Sequence, residues 1–203
     1  MIALVDYGLG NIQAFANIYR RLGFPTVQAR TPEELEGARK LVLPGVGAFD
    51  WAMERLDASG LRATLDRLVL EQKVDVLGIC VGMQMMARSS EEGKRPGLGW
   101  IDADVVRFDT SHFNHKTQLP HMGWNDIVPT ADDTLFRSIA SPRYYFLHSY
   151  HVVPENKSDV LAIATYAETF AAAIRVGNIY GTQFHPEKSH DWGVNLLRNF
   201  AEI

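Results

Sequence analysis

The sequence predicts an α/β protein with a doubly wound, mostly parallel central sheet and additional antiparallel strands in its second half. Three observations carry that expectation. Short apolar runs alternate with stretches of helical periodicity through the first half. Strand-like runs crowd the second half, and the last two are joined by Gly177-Asn178, a two-residue hairpin turn. A chain of 203 residues, 46% hydrophobic and 22% charged, is also long enough and apolar enough to bury a substantial core.

Each element follows from its local pattern. Ile2–Val5 reads as a short buried strand. Ile12, Phe15, Tyr19 and Leu22 then recur at helical spacing behind Asn11, which is placed to cap. A second strand ends at Arg30. Thr31-Pro32-Glu33-Glu34 supplies a cap, a proline at the first helical position and a capping-box glutamate. Leu41–Leu43 is a further apolar run, broken by Pro44-Gly45-Val46-Gly47. Helical patterns around Trp51–Leu56 and Leu61–Leu70 precede another apolar run, Val74–Ile79, and Gly82–Arg88 turns helical again. Later strands are expected at Val105–Phe108, Trp124–Val128, Tyr144–Tyr150, Val160–Tyr166, Phe170–Val176 and Ile179–Phe184. A last helix, Gly193–Ala201, sets Val194, Leu197 and Phe200 on one face. With no repeat and no proline- and serine-rich linker, residues 1–203 read as a single domain. Glu91–Gly99 and Thr110–Pro120 read as mobile loops.

Composition narrows the partners. A formal charge of −4 argues against nucleic acid or an anionic membrane as the main partner. The one cysteine, Cys80, removes intramolecular disulfides and multi-cysteine metal sites from consideration. Met1-Ile-Ala-Leu-Val-Asp6 lacks the basic start of a secretory signal, and the uncharged stretch Tyr7–Tyr19 is too short and too polar to span a bilayer. A cytoplasmic location is expected.

Gly78-Ile79-Cys80-Val81-Gly82 lies between an apolar strand and a helical segment, the form of a nucleophile elbow with cysteine in place of serine. A turn that tight requires flanking residues without bulk, and it leaves the sulfur exposed above the strand end. The Val81 amide and the helix start then favour a thiolate and any oxyanion formed there. An inert, buried cysteine would also fit this motif alone. A nucleophilic cysteine needs a base, itself oriented by a third group. Gln183-Phe184-His185-Pro186-Glu187 offers both, with Pro186 holding an extended segment in which His185 and Glu187 project to the same side.

Weaker signals point elsewhere. Gly8-Leu9-Gly10 begins like a dinucleotide fingerprint, but Gln13 occupies the third glycine position and no acid follows at the required distance; Arg30 could only suggest a 2′-phosphate. The pairs His112/His115 and His148/His151 lack the spacing and the glutamate of a zinc-protease helix. Met83, Met85 and Met86 read as helix packing. No metal is expected.

With these segments in hand, the chain resembles the triad, or class I, glutamine amidotransferases. More narrowly, it is similar to the family of glutaminase subunits that serve imidazole glycerol phosphate synthases. The matching segments are Asp6–Asn11, Pro44–Phe49, Gly78–Gln84, Pro120–Asn125, Tyr144–Tyr150 and Gly181–Ser189, in the family's order along nearly the whole chain. The elbow and His-Pro-Glu mark only the superfamily. Pro120-His121-Met122-Gly123-Trp124-Asn125, Tyr144–Tyr150 and Phe184–Ser189 are more particular to these subunits. Val81 stands where the family usually has leucine, Trp100 replaces a smaller aliphatic residue, and Ser111–Thr117 matches no family pattern.

The resemblance implies a class I amidotransferase fold and L-glutamine as substrate. Cys80 would be the nucleophile, His185 the acid and base, and Glu187 its orienting carboxylate. Val46, Gly47 and Val81 would supply the oxyanion amides. Gly47, Gln84, Ser149 and Tyr150 would position glutamine, and His121, Met122, Trp124 and Tyr145 would form the partner interface and gate. It implies no cofactor and no metal. The implied partner is a (β/α)8-barrel cyclase subunit in a heterodimer, which consumes the ammonia in histidine biosynthesis. Amidotransferase subunits of pyridoxal phosphate or anthranilate synthesis, and a catalytically silent docking subunit, are the alternatives at this point; the Pro120–Asn125 segment favours the histidine pathway.

Overall fold

The computed structural model describes residues 1–112, 119–130 and 134–203. Four parallel strands form first: β1 (Ile2–Val5), β2 (Thr26–Ala29), β3 (Lys40–Gly45) and β4 (Asp75–Cys80). Between them run α1 (Ile12–Leu22), α2 (Pro32–Leu35), α3 (Phe49–Ser59) and α4 (Arg62–Asp66), the last widening into a π-helical turn at Arg67–Glu71. The expected caps are present. Asn11 Oδ1 accepts from the Ala14 amide at 3.2 Å, and Thr31 and Glu34 form a reciprocal capping box.

After α5 (Val81–Met85) come β5 (Ser89–Ser90), β6 (Ala103–Arg107), β7 (His121–Asp126), β8 (Val128–Pro129), β9 (Arg143–His148) and β10 (Tyr150–Pro154). The chain closes with β11 (Val160–Tyr166), β12 (Glu168–Val176), β13 (Ile179–Thr182) and α6 (His190–Glu202). The main sheet has the order β2-β1-β3-β4-β13-β12-β11-β8. Its pairings are parallel as far as β13 and antiparallel beyond it. Every residue of β1, β3 and β13 is buried. Successive side chains point to opposite faces, so the middle of this sheet is covered on both sides. A separate ladder joins β10, β6 and β5, and β7 pairs with β9.

Several expected boundaries shift, with identifiable causes. β3 runs on through Pro44 and Gly45, which pair with Ile79 and Cys80. The proline therefore does not end the strand. The run read as Tyr144–Tyr150 is broken at Ser149 into two strands that enter different sheets. Trp124–Val128 likewise divides between β7, which starts earlier, at His121, and β8. The expected Gly82–Arg88 helix stops at Met85, because the Met86 and Ala87 carbonyls turn to accept from Trp100 and Gly99. Glu91–Gly99, read as mobile, is tied down: the Asp50 carboxylate accepts from the Lys94 and Arg95 amides, which holds its pKa below the usual range. Of the loop Thr110–Pro120, residues 113–118 lie outside the described residues. Among the described residues no helix is long and apolar enough to cross a membrane.

Candidate active site

The elbow is built by close backbone approach. Cys80 sits between β4 and α5 at φ 54° and ψ −111°, a strained conformation for a residue with a side chain. A Cβ on Gly82 would stand 1.9 Å from the Leu43 carbonyl oxygen, and one on Gly45 would stand 2.3 Å from the Gly82 nitrogen. The ends of β3 and β4 and the start of α5 therefore interlock only because both residues lack side chains. Tyr7 secures the same junction, its hydroxyl donating to the Pro44 carbonyl at 2.8 Å. That hydroxyl is pushed up in pKa by burial and by the charge of Cys80.

The base arrives from the neighbouring parallel strand. β13 lies beside β4 with Thr182 opposite Ile79, so the chain beyond Thr182 emerges at the same carboxyl edge as Cys80. The His185 amide donates to the Tyr145 carbonyl at 2.9 Å, and its own carbonyl accepts from Ser189 Oγ at 2.6 Å. Its ring Nδ1 lies 2.9 Å from Glu187 Oε1, with both side chains 3% exposed. The segment is not fully extended as expected. Pro186 instead starts a 3-10 turn, Pro186–Lys188, which suits its fixed φ, and the turn delivers Glu187 to the imidazole.

Burial alone would lower the pKa of His185. Hydrogen bonds and charges from Cys80 and Glu187 outweigh that and raise it to about 10. The imidazolium is thus held between sulfur and carboxylate. Its folded value lies above the ordinary 6.5, so the folded state binds this proton more tightly than the unfolded chain. The resulting stabilisation is complete below pH ~6.5 and disappears as pH rises through ~10. Thermal melts across that window should show falling stability, with a shallower fall in Cys80→Ala. Equal slopes in the two proteins would refute the coupling.

Cys80 and His185 open into a cleft of about 320 Å³, which Val46, Gly47, Val81, Gln84, Ser149 and Tyr150 also line. Gly47 takes φ +86°, whereas Gly45 stays within the β3 ladder, so the left-handed backbone falls on one side of Val46 only. Gln84 is placed differently from a simple ligand donor. Its Nε2 donates to the Tyr150 carbonyl at 3.0 Å and to Gln183 Oε1 at 3.1 Å, leaving its own oxygen for a ligand. Sequence reasoning missed Glu92, which lines the cleft and accepts from the Phe49 amide at 2.9 Å, and Lys188, which lines it opposite in charge. Lys188 follows His-Pro-Glu directly. Nothing in the spacing of Glu92 marks it.

The expected interface residues separate. On β7 alternation turns Met122 and Trp124 outward, 65% and 38% exposed. Trp124 stands opposite Tyr145 in the β7–β9 ladder and stacks on His190 at 5.2 Å. His121 faces inward, so it is not a surface residue. Its ring lies between Phe146 and Tyr166, and its Nδ1 is 3.0 Å from His148 Nε2. Burial lowers its pKa to about 4 and that of His148 well below the ordinary value. His148 in turn hydrogen-bonds the Tyr150 carbonyl at 2.9 Å. His151 is buried against Phe108 and Phe170. His115 lies outside the described residues. Arg30 is committed to Asp6 at 2.6 Å, and Met83, Met85 and Met86 are core residues.

Comparison with known proteins gives the chain a family. A family model described as glutamine amidotransferase class-I matches residues 3–203. The imidazole glycerol phosphate synthase subunit HisH of Bdellovibrio bacteriovorus is 55% identical over 204 residues, covering 100% of each chain. Its namesake in Leptospira borgpetersenii is 48% identical with the same coverage. A solved structure titled as a glutamine amidotransferase superposes with a TM-score of 0.76 at 21% identity, covering 99% of this chain and 97% of its own. A glutamine amidotransferase from Thermotoga maritima gives a TM-score of 0.65 at 17% identity, covering 99% of this chain and 82% of its own. At those identities the structural likeness speaks for the fold.

Proposed function

The chain belongs to the class-I glutamine amidotransferases, and from that premise we propose that it is the glutaminase subunit of an imidazole glycerol phosphate synthase. One observation carries the reading: the strained Cys80, with His185 and Glu187, opens into a cleft in a chain that aligns end to end with HisH subunits. Cys80 Sγ attacks the carboxamide carbon of glutamine. The amide of Val81, with that of Val46 or Gly47, holds the oxyanion. His185, protonated at neutral pH, gives its proton to the departing nitrogen, and ammonia leaves. The imidazole then takes a proton from water, which hydrolyses the glutamyl thioester and restores the sulfur. Glu187 keeps the ring's other nitrogen protonated throughout. The backbones of Ser149 and Tyr150 position the substrate, and Glu92 and the Gln84 oxygen suit its α-ammonium group.

Ammonia set free in water at neutral pH becomes ammonium, which is not a nucleophile, so a second active site must take it directly. A (β/α)8-barrel cyclase subunit docked over Met122, Trp124 and Tyr145 would do so, in a cytoplasmic heterodimer. His121 supports that face from behind. Glutamine hydrolysis should therefore be slow in the isolated chain and rise at least tenfold with the cyclase and its nucleotide substrate. Full turnover by the lone chain, unchanged by the cyclase, would overturn the partnership.

A further inference from the structure

Gln183 has no part in the chemistry above, yet its side chain is fully buried beside the nucleophile, with Nε2 3.7 Å from Cys80 Sγ. The orientation of that amide follows from its neighbours. The Tyr150 carbonyl can only accept, so Gln84 must turn its NH₂ group toward it. The same nitrogen supplies its second hydrogen to Gln183 Oε1. The NH₂ of Gln183 is then left to face the sulfur. The Gln84 nitrogen thus donates both to a backbone carbonyl of the cleft wall and to Gln183, and the Gln183 amide in turn donates to the reacting atom.

We propose that Gln183 is a direct hydrogen-bond donor to the Cys80 sulfur, stabilising the thiolate and aiming it into the cleft. This rests on the reading of Cys80 as the nucleophile. The sulfur has competing neighbours: the Leu147 carbonyl, 3.8 Å away, is a partner only for the protonated thiol. Gln183 and His185 instead present donors to the sulfur. With no exposure to water at Gln183, no solvent donor replaces its amide when it is removed.

The test is the rate at which iodoacetamide alkylates Cys80 as a function of pH. In Gln183→Met, which keeps length and removes the donor, labelling near pH 6 should fall about tenfold and converge with the parent at high pH. Among the described residues, the other charged or titratable groups facing the sulfur and the cleft are His148, Tyr150, His185, Glu187, Tyr7, Glu92 and Lys188, and the substitution leaves all of them in place. If Gln183→Met leaves the Gln84 amide unpaired and fails to fold, Gln84→Met combined with Gln183→Met removes both polar partners and should show the same loss at the sulfur. A folded variant with the parent's pH profile, whatever its KM for glutamine, would make Gln183 a structural residue and end the proposal. A parent protein that no glutamine-analogue electrophile labels would instead fail the reading of Cys80 itself.

Discussion

Cys80→Ala should abolish glutamine-dependent turnover, by about 10⁴-fold or more, since the group that forms the covalent intermediate is gone. The chain holds no other cysteine to take its place. The synthase reconstituted with its cyclase should still use free ammonium salts, because the ring-forming chemistry lies on the partner. Parallel assays with glutamine and with ammonium separate the two. Retained glutaminase activity in Cys80→Ala would end the covalent account. Loss of both activities would mean that the substitution disturbs docking and not only chemistry.

His185→Ala should lower kcat for glutamine by about 10²–10⁴, the usual worth of a positioned acid and base. Glu187→Gln should cost less, and the geometry says why. Glu187 Oε1 receives the imidazole, while Oε2 is buried without a hydrogen-bond partner among the described residues. A glutamine can keep its oxygen on the imidazole and turn its nitrogen into that unpaired position, preserving the tautomer while losing the charge that steadies imidazolium. Single-turnover measurements should therefore rank parent, Glu187→Gln and His185→Ala in falling order. Parental rates in His185→Ala at every pH would remove it from the mechanism.

Features enforced by tight backbone geometry are legible in the amino-acid sequence. Gly78 and Gly82 are demanded by backbone contacts that leave no room for a side chain, and the elbow pattern states that demand residue by residue. The hairpin at Gly177-Asn178 and the capping box at Thr31 are local in the same sense. What escapes depends on partners distant in the chain. Gln84 and Gln183 are 99 residues apart, and neither the amide chain they form nor the place of Glu92 in the cleft leaves a periodic trace. The resemblance puts His121 together with Met122 and Trp124 in the partner interface and gate. Yet the period-two alternation of β7 turns His121 inward, while Met122 and Trp124 stay out.

The position of β13 has a consequence for the order in which this protein becomes an enzyme. The strand is synthesised after both of its neighbours, yet it occupies the interior of the sheet, between β4 and β12. Until residues 179–182 are in place, β4 is an open edge with unpaired backbone groups, and Cys80 stands at its end without His185. A nascent or truncated chain is therefore both prone to pair wrongly along that edge and chemically unarmed. Insertion of one strand closes the edge and delivers the base in the same event. The nucleophile and its base thus come together only in a chain whose β13 is paired with β4.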